Sequence, residues 1–315
     1  MWAYFCTDRS VQKSGGSVES STPRAAAVST AGFGLKGPRG WVFRDVGIAA
    51  EPGALIAVEG PSGSARTCLL LALTGRMRAN TGHAEVAGLR LPGGRPAGSA
   101  WTAGREGLAR TGRMAAVRRI SALGPVPGVA ELEPSLTVAE HLREHALLHR
   151  RYDGSPRALL RPRGERAADT RRRVDAALEA AGFDPGASAK GLRTAVRDLD
   201  RLESLRFSVT LALIGRPRLL AVDDTDLKLS AADRAAAWDL LRSVAAAGTT
   251  VLAVCSEAPN GAVTVTTTPA AAGEAGAVEA DEPAGSAGST EATEHTEHTD
   301  DEEGAADALA ETGRA

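Results

Sequence analysis

Residues 54–74 read Ala54-Leu-Ile-Ala-Val-Glu-Gly-Pro-Ser-Gly-Ser-Ala-Arg-Thr-Cys-Leu-Leu-Leu-Ala-Leu-Thr74, and three kinds of backbone follow one another within them. Ala54 to Val58 is a short, unbroken apolar run. A strand buried on both faces of a parallel sheet has that pattern. Gly60 to Ala65 is a loop of small residues, and Arg66 to Thr74 opens a largely apolar helix. A buried strand, a glycine loop and a helix, in that order, give backbone N–H groups and a helix N-terminus the chance to cradle phosphate.

The same alternation continues on both sides. Trp41 to Ile48 reads as a strand, Glu51-Pro-Gly53 as a turn, and Ala84 to Leu91 as a strand pair. Leu219 to Val222 and Thr249 to Val254 repeat the buried-strand pattern, with a helix over Ala231 to Ala246 between them. Thr137 to Arg150 and Ala168 to Ala181 read as amphipathic helices. The pattern predicts an α/β fold with a doubly wound, mainly parallel sheet. A helical lobe is expected over about 115–205, and a Gly- and Arg-rich surface insertion over about 92–113. The domain runs from 31 to 268. Residues 1–30 are rich in Ser, Gly, Thr and Ala, residues 269–315 have almost no large apolar side chain, and disordered tails are expected in both. The repeat Thr-Glu-His-Thr-Glu-His at 293–298 is read as solvated low complexity, not metal binding.

Composition narrows the function class. The chain has 315 residues, is 43% hydrophobic and only 3% aromatic, so its core is built from Ala, Leu and Val. Its net charge of −2 conceals an acidic tail: residues 261–315 hold 13 acidic side chains and one basic one, Arg314. The basic body is read as arginine bias on solvated faces, and no nucleic acid partner is expected. Cys6, Cys68 and Cys255 are scattered and odd in number, which gives neither a disulfide framework nor a metal spacing and fits a reducing cytosol. No apolar run approaches the ~18 residues of a membrane span, and the first residues lack the features of a signal peptide. A membrane role would have to come through a partner.

The loop Gly60-Pro-Ser-Gly-Ser-Ala-Arg-Thr67 is to be set against the phosphate-loop pattern G-x-x-x-x-G-K-[ST]. Gly60 and Thr67 match. Ala65 stands at the second glycine and Arg66 at the lysine. Backbone donors survive both changes. Ala65 adds a Cβ where the backbone approaches phosphate, and Arg66 exchanges a compact ammonium for a bulkier planar fork. Thr67 still offers a hydroxyl to Mg²⁺.

Further stretches in chain order are Phe43-Arg-Asp-Val46, Glu51-Pro-Gly53, Leu136-Thr-Val-Ala-Glu-His-Leu142, Gly215-Arg-Pro-Arg-Leu-Leu-Ala-Val-Asp-Asp224 and Gly248-Thr-Thr-Val-Leu-Ala-Val254. Together with the loop they resemble an ABC transporter ATP-binding domain over roughly residues 31–268. The resemblance implies a P-loop NTPase-type sheet with an antiparallel strand part and a helical lobe. It implies ATP and Mg²⁺ as cofactors, with Gly60, Pro61, Ser62, Gly63, Ser64, Ala65, Arg66, Thr67 and Cys68 at the nucleotide. Thr67 and Asp223 would hold the metal, and Asp224 falls at the catalytic glutamate, one methylene shorter. It also implies a membrane-spanning transporter subunit and a second ABC domain as partners, in a homo- or heterodimer. The expected location is cytoplasmic, at the inner face of the membrane through those partners.

Other family positions are changed. The signature Leu-Ser-Gly-Gly-Gln aligns with Leu199-Asp-Arg-Leu-Glu203, which keeps only the leucine and adds negative charge. Gly128 falls at the Q-loop glutamine, and Gln12 is the chain's only glutamine. Ser230 replaces the D-loop aspartate, and Ser256 the switch histidine. Ser230-Ala-Ala-Asp233 reads equally as a helix start. The adenine-stacking aromatic near Gly37 is missing; Trp41 and Phe43 are candidates for that role or for the core. Two readings follow: a transporter ATPase with weak hydrolysis, or a pseudo-ATPase serving as a structural or regulatory partner. A third comes from His141-Leu-Arg-Glu-His145, which matches the zinc-peptidase pattern H-x-x-E-H, with His149 on the same face; a solvated or contact face is the simpler account.

Overall fold

The computed structural model describes residues 25–38, 40–94, 100–152, 162–187 and 190–267. Most of residues 1–30 and all of 269–315, read from composition as tails, therefore lie outside the described residues.

Two sheets form the scaffold. The first is antiparallel, built from β1 (Val28–Gly37), β2 (Gly40–Ala50), β4 (Thr81–Val86) and β5 (Leu89–Pro92) in the order β2-β1-β4-β5. The second is parallel, with β3 (Leu55–Glu59), β6 (Ser121–Leu123), β7 (Leu219–Val222), β8 (Thr250–Cys255) and β9 (Val263–Thr266) in the order β6-β7-β8-β3-β9. Among the described residues the helices are α1 (Arg66–Leu73), α2 (Ala100–Ile120), α3 (Val138–Tyr152), α4 (Arg163–Ala180), α5 (Arg201–Leu213) and α6 (Ala231–Ala246).

The unbroken apolar runs are explained by burial on both faces of the parallel sheet. Ile56 and Val58 of β3 join Leu219, Ala221, Leu252 and Val254 in a core shared with α1 and the antiparallel sheet. The alternate residues Leu55 and Ala57 join Leu220, Val222, Val251 and Ala253 in a second core under α5 and α6. Every residue of such a strand faces apolar neighbours, so the polar alternation of a half-exposed strand disappears. A third core, holding Val138, Leu142, Ala177, Phe207 and Leu211, closes the lobe. Because α5 supplies Leu205 and Val209 to the second core and Phe207 and Leu211 to the third, it fastens the lobe to the sheet.

Three boundaries differ from the sequence reading. Val28 to Thr30, read as tail, begin β1: Val28 is buried and pairs with Ala50 and Val86, and Ala26 is fixed by a backbone bond to the Arg218 carbonyl. Part of 92–113, read as a Gly- and Arg-rich surface insertion, is helical and belongs to α2. The glycines at 104, 107 and 112 lower its intrinsic helix propensity, but Met114 and Val117 bury against the first core and hold it. The lobe does not begin near 115, because Ser121–Leu123 form the β6 edge strand, paired with β7. Three residues are too few for a periodicity to reveal.

Candidate functional site

Parallel pairing decides where the chemistry gathers. Glu59 lies level with Cys255 and Val222 with Ala253, so the loops after β3, β7 and β8 leave the sheet from one edge. Ligands of open α/β sheets bind at that carboxyl edge.

The loop after β3 is held closely. Gly60 has φ 154°, and a Cβ there would sit 2.6 Å from the Thr267 carbonyl and 2.7 Å from Ser64 Oγ; only glycine fits. The Ser64 N–H donates to the Pro61 carbonyl at 3.1 Å, and the buried Ser64 hydroxyl shares a 2.8 Å hydrogen bond with Thr267 Oγ1. Ala65 is the N-cap of α1 in the left-handed region, φ 57°, and offers no side-chain acceptor. The first-turn N–H groups of α1 have no intrahelical partner and no side-chain cap, which is the arrangement that receives an anion.

Thr67, in the first turn of α1, donates its hydroxyl to Asp223 Oδ2 at 2.6 Å. Asp223 is 2% exposed, its N–H bonds the Pro125 carbonyl, and its Oδ1 accepts the Asp224 N–H at 2.9 Å. Burial pushes the Asp223 carboxyl above the usual carboxylate range; the Thr67 bond opposes that rise and the Asp224 charge adds to it. The same burial, with Asp223 beside it, raises the Cys68 thiol. The structure thus brings Thr67 and Asp223 together.

Arg66 goes elsewhere. Its guanidinium donates to the Cys255 carbonyl at the end of β8. Asp224 adopts φ 48°, a conformation aspartate tolerates. It lines a small cleft with Pro125, Arg201, Ser204, Leu205, Thr225 and Leu229, none of which belongs to the loop after β3.

Several changed positions have local structural reasons. Asp200 caps α5: its Oδ1 accepts the Glu203 N–H at 2.7 Å, and Glu203 Oε2 accepts the Asp200 N–H at 2.9 Å. This reciprocal box fills the end of α5 with the helix's own carboxylates. Gly128 has φ 71° in a turn closed by the Val126–Ala130 bridge, and its N–H donates to Glu131 Oε1 at 2.8 Å. Ser230 accepts the Asp233 N–H at 3.1 Å, as an N-cap. Phe43 is core, with its ring 5.8 Å from Phe33, whereas Trp41 is half-buried beneath the Lys36 ammonium at 5.7 Å.

The histidine motif does not assemble. His141 is buried in the lobe, its Nε2 3.2 Å from the Glu133 carbonyl and its ring 5.9 Å from Phe207. Among the described residues no group of three or more His, Cys, Asp or Glu side chains converges as a metal site.

Sequence reasoning missed three residues of this edge. Asp226, buried, accepts the Ser256 N–H at 2.8 Å. Glu59 accepts the Ala258 N–H at 3.1 Å and the Thr266 hydroxyl at 3.3 Å. Thr267 closes on Ser64. A carboxylate ending an apolar strand, and a third one following Asp223-Asp224, were the available signals.

No family model matches the sequence. Nod factor export ATP-binding protein I of Cupriavidus pinatubonensis is 29% identical over 211 residues, 67% of this chain and 53% of the relative. The protein of the same name from Ralstonia nicotianae is 28% identical over 200 residues, 64% and 50% of the two chains. The chain spans about half the length of the curated relatives it matches. Among solved structures, a part of the ABC transporter complex cbiONQ from Clostridium perfringens aligns with TM-score 0.53 at 13% identity, over 74% of this chain and 80% of that one. An ATP-binding cassette in a dimeric post-hydrolysis state bound to ADP and Pi aligns with TM-score 0.51 at 16% identity, over 73% and 88%. Among the described residues no helix is long and apolar enough to cross a membrane. In sequence this chain is similar to ABC-type ATP-binding proteins, and its fold is that of solved ATP-binding cassettes.

Proposed function

We propose that the chain is the ATP-binding subunit of an ABC-type transporter, that it holds Mg-ATP on the loop from Gly60 to Cys68, and that it hydrolyses it weakly. The observation carrying this reading is the 2.6 Å hydrogen bond from Thr67 to Asp223 at the uncapped start of α1. A hydroxyl and a buried carboxylate so paired fit the oxygen donors that Mg²⁺ takes beside phosphates. Bound Mg-ATP would supply the reactive phosphoryl group and the metal charge. This chain's residues would bind and orient it: loop N–H groups on the phosphates, Thr67 and Asp223 on the metal.

Weak turnover follows from what surrounds that cradle. Phosphoryl transfer depends on positioning and electrostatics. Asp224 is the water-positioning carboxylate of this reading, yet it lines a cleft beside α5. Asp200 and Glu203 cap α5 themselves, so this helix start would meet a facing subunit's nucleotide with negative charge. A membrane-spanning subunit and a second ABC domain are the partners this reading requires; the relatives' names speak of export ATP-binding proteins. Through them the chain would sit at the inner, cytoplasmic face of the membrane. Calorimetry with Mg-ATP tests the reading: weak one-site binding is expected, and Asp223→Asn should remove its dependence on Mg²⁺. No heat of binding at millimolar ATP would end it.

A further inference from the structure

Three hydrogen bonds close the end of β8 against the phosphate loop. Arg66 donates its guanidinium to the Cys255 carbonyl. The next N–H, Ser256, is taken by Asp226 Oδ2 at 2.8 Å, and the N–H of Ala258 by Glu59 Oε2 at 3.1 Å. Asp226 is 7% exposed, so it is a built part of the site. The charges at Asp226, Glu59 and Arg66 all act on the buried Cys255 thiol, which burial foremost pushes up to about 12. All three side chains hold backbone groups within residues 255–258 at the end of β8. Arg66, and the N–H groups of Ser256 and Ala258 in the loop beside it, are already bound to protein acceptors.

Resting on the nucleotide-binding reading above, we infer that this latch makes the site blind to the terminal phosphate: it takes nucleoside diphosphates and triphosphates alike. The phosphates nearest α1 still meet the loop N–H groups, Thr67 and Asp223. Mg²⁺ on Thr67 and Asp223 would serve the diphosphate and the triphosphate alike, and a third phosphate gains no side-chain cation, because Arg66 would have to leave the Cys255 carbonyl to reach it. It also brings further negative charge toward Glu59 and Asp226, two carboxylates against one guanidinium. Arg66 and Asp226 are thus specificity-determining residues. A lysine at 66 replaces the planar fork by a compact ammonium on a flexible stem, which loosens the hold on the Cys255 carbonyl and frees the charge to turn toward the phosphates.

The test is calorimetry on the full chain with Mg-ADP and Mg-ATP. The wild-type affinities should agree within about threefold, less than one charge-assisted hydrogen bond is worth. Arg66→Lys should shift the ratio toward ATP by about tenfold, the worth of one such bond. Asp226→Ala, which frees the Ser256 N–H, should shift it in the same direction. A wild-type preference for ATP beyond about threefold overturns the inference and leaves the proposed function standing. A ratio unmoved in Arg66→Lys overturns the role given to Arg66. Binding of neither nucleotide removes the proposed function and this inference together.

Discussion

Ala65 carries the clearest strain at the site. It holds φ 57° and ψ 29° as the N-cap of α1, where an L-residue is disfavoured and glycine is not. Replacing it with glycine should stabilise the fold by about 0.5–1 kcal/mol, net of glycine's greater unfolded-state entropy, and urea unfolding would measure it. A loss of stability would mean that the Cβ is packed to advantage. Asp223 is the second residue-scale case. Its folded-state carboxyl is raised by burial, so it favours the protonated form and disfavours the charged one. Its contribution to stability is therefore largest at low pH and is lost as pH rises through the raised value. Asp223→Asn should unfold at a higher temperature than wild type at neutral pH without Mg²⁺, and the excess should shrink on acidification. The sequence made Thr67 and Asp223 legible because each ends or begins an element with a recognisable pattern. It could not make the path of Arg66 legible: a long side chain is aimed by whichever acceptor the fold brings within reach, and Cys255 is 189 residues away.

Two elements behave in ways that can be tested separately. The start of α5 is a reciprocal capping box of Asp200 and Glu203. Asp200→Ala should cost about 1 kcal/mol, and Asp200→Ser should restore most of it; equal losses in both variants would refute the cap. The lobe helix α3 carries His145, whose imidazole burial first, and then the neighbouring His149 and His141, depress from 6.5 to about 4, against the pull of Glu144. An unfolded chain takes up that proton near pH 6.5, the folded one only near 4. The stability His145 contributes is full above 6.5 and lost as pH falls toward 4. His145→Gln should flatten the pH dependence of unfolding in that window, and an unchanged profile would contradict the depressed value. The elements that sequence located well, β3, β7, β8 and α6, are those with continuous apolar runs or a helical start signal. Those it missed are short or compositionally disguised. β6 has three residues, β9 alternates threonine with valine, and α2 contains three glycines, and each is held by tertiary contacts instead of by its own propensity.

At the scale of the whole molecule, the parts are arranged on one sheet edge but belong to two different kinds of site. Around Gly60, Ser64, Thr67 and Asp223 the backbone is stitched into a cradle with free helix N–H groups. Asp200, Gly128, Ser230 and Ser256, the positions that the proposed reading sets against partner-reading and water-positioning groups, are engaged in local structure: a helix cap, a turn, another cap, and a loop tied to Asp226. The sequence registered those changed positions as missing letters; only the fold supplied what the replacement residues do. The account therefore separates binding from turnover. Its central claim is tested by phosphate release from Mg-ATP at saturation, measured on the full chain. The account predicts a steady-state rate no more than about a hundredth of that of a cassette with all its motifs, since a single lost stabilising donor costs about that much. A rate equal to that of an intact cassette would contradict it.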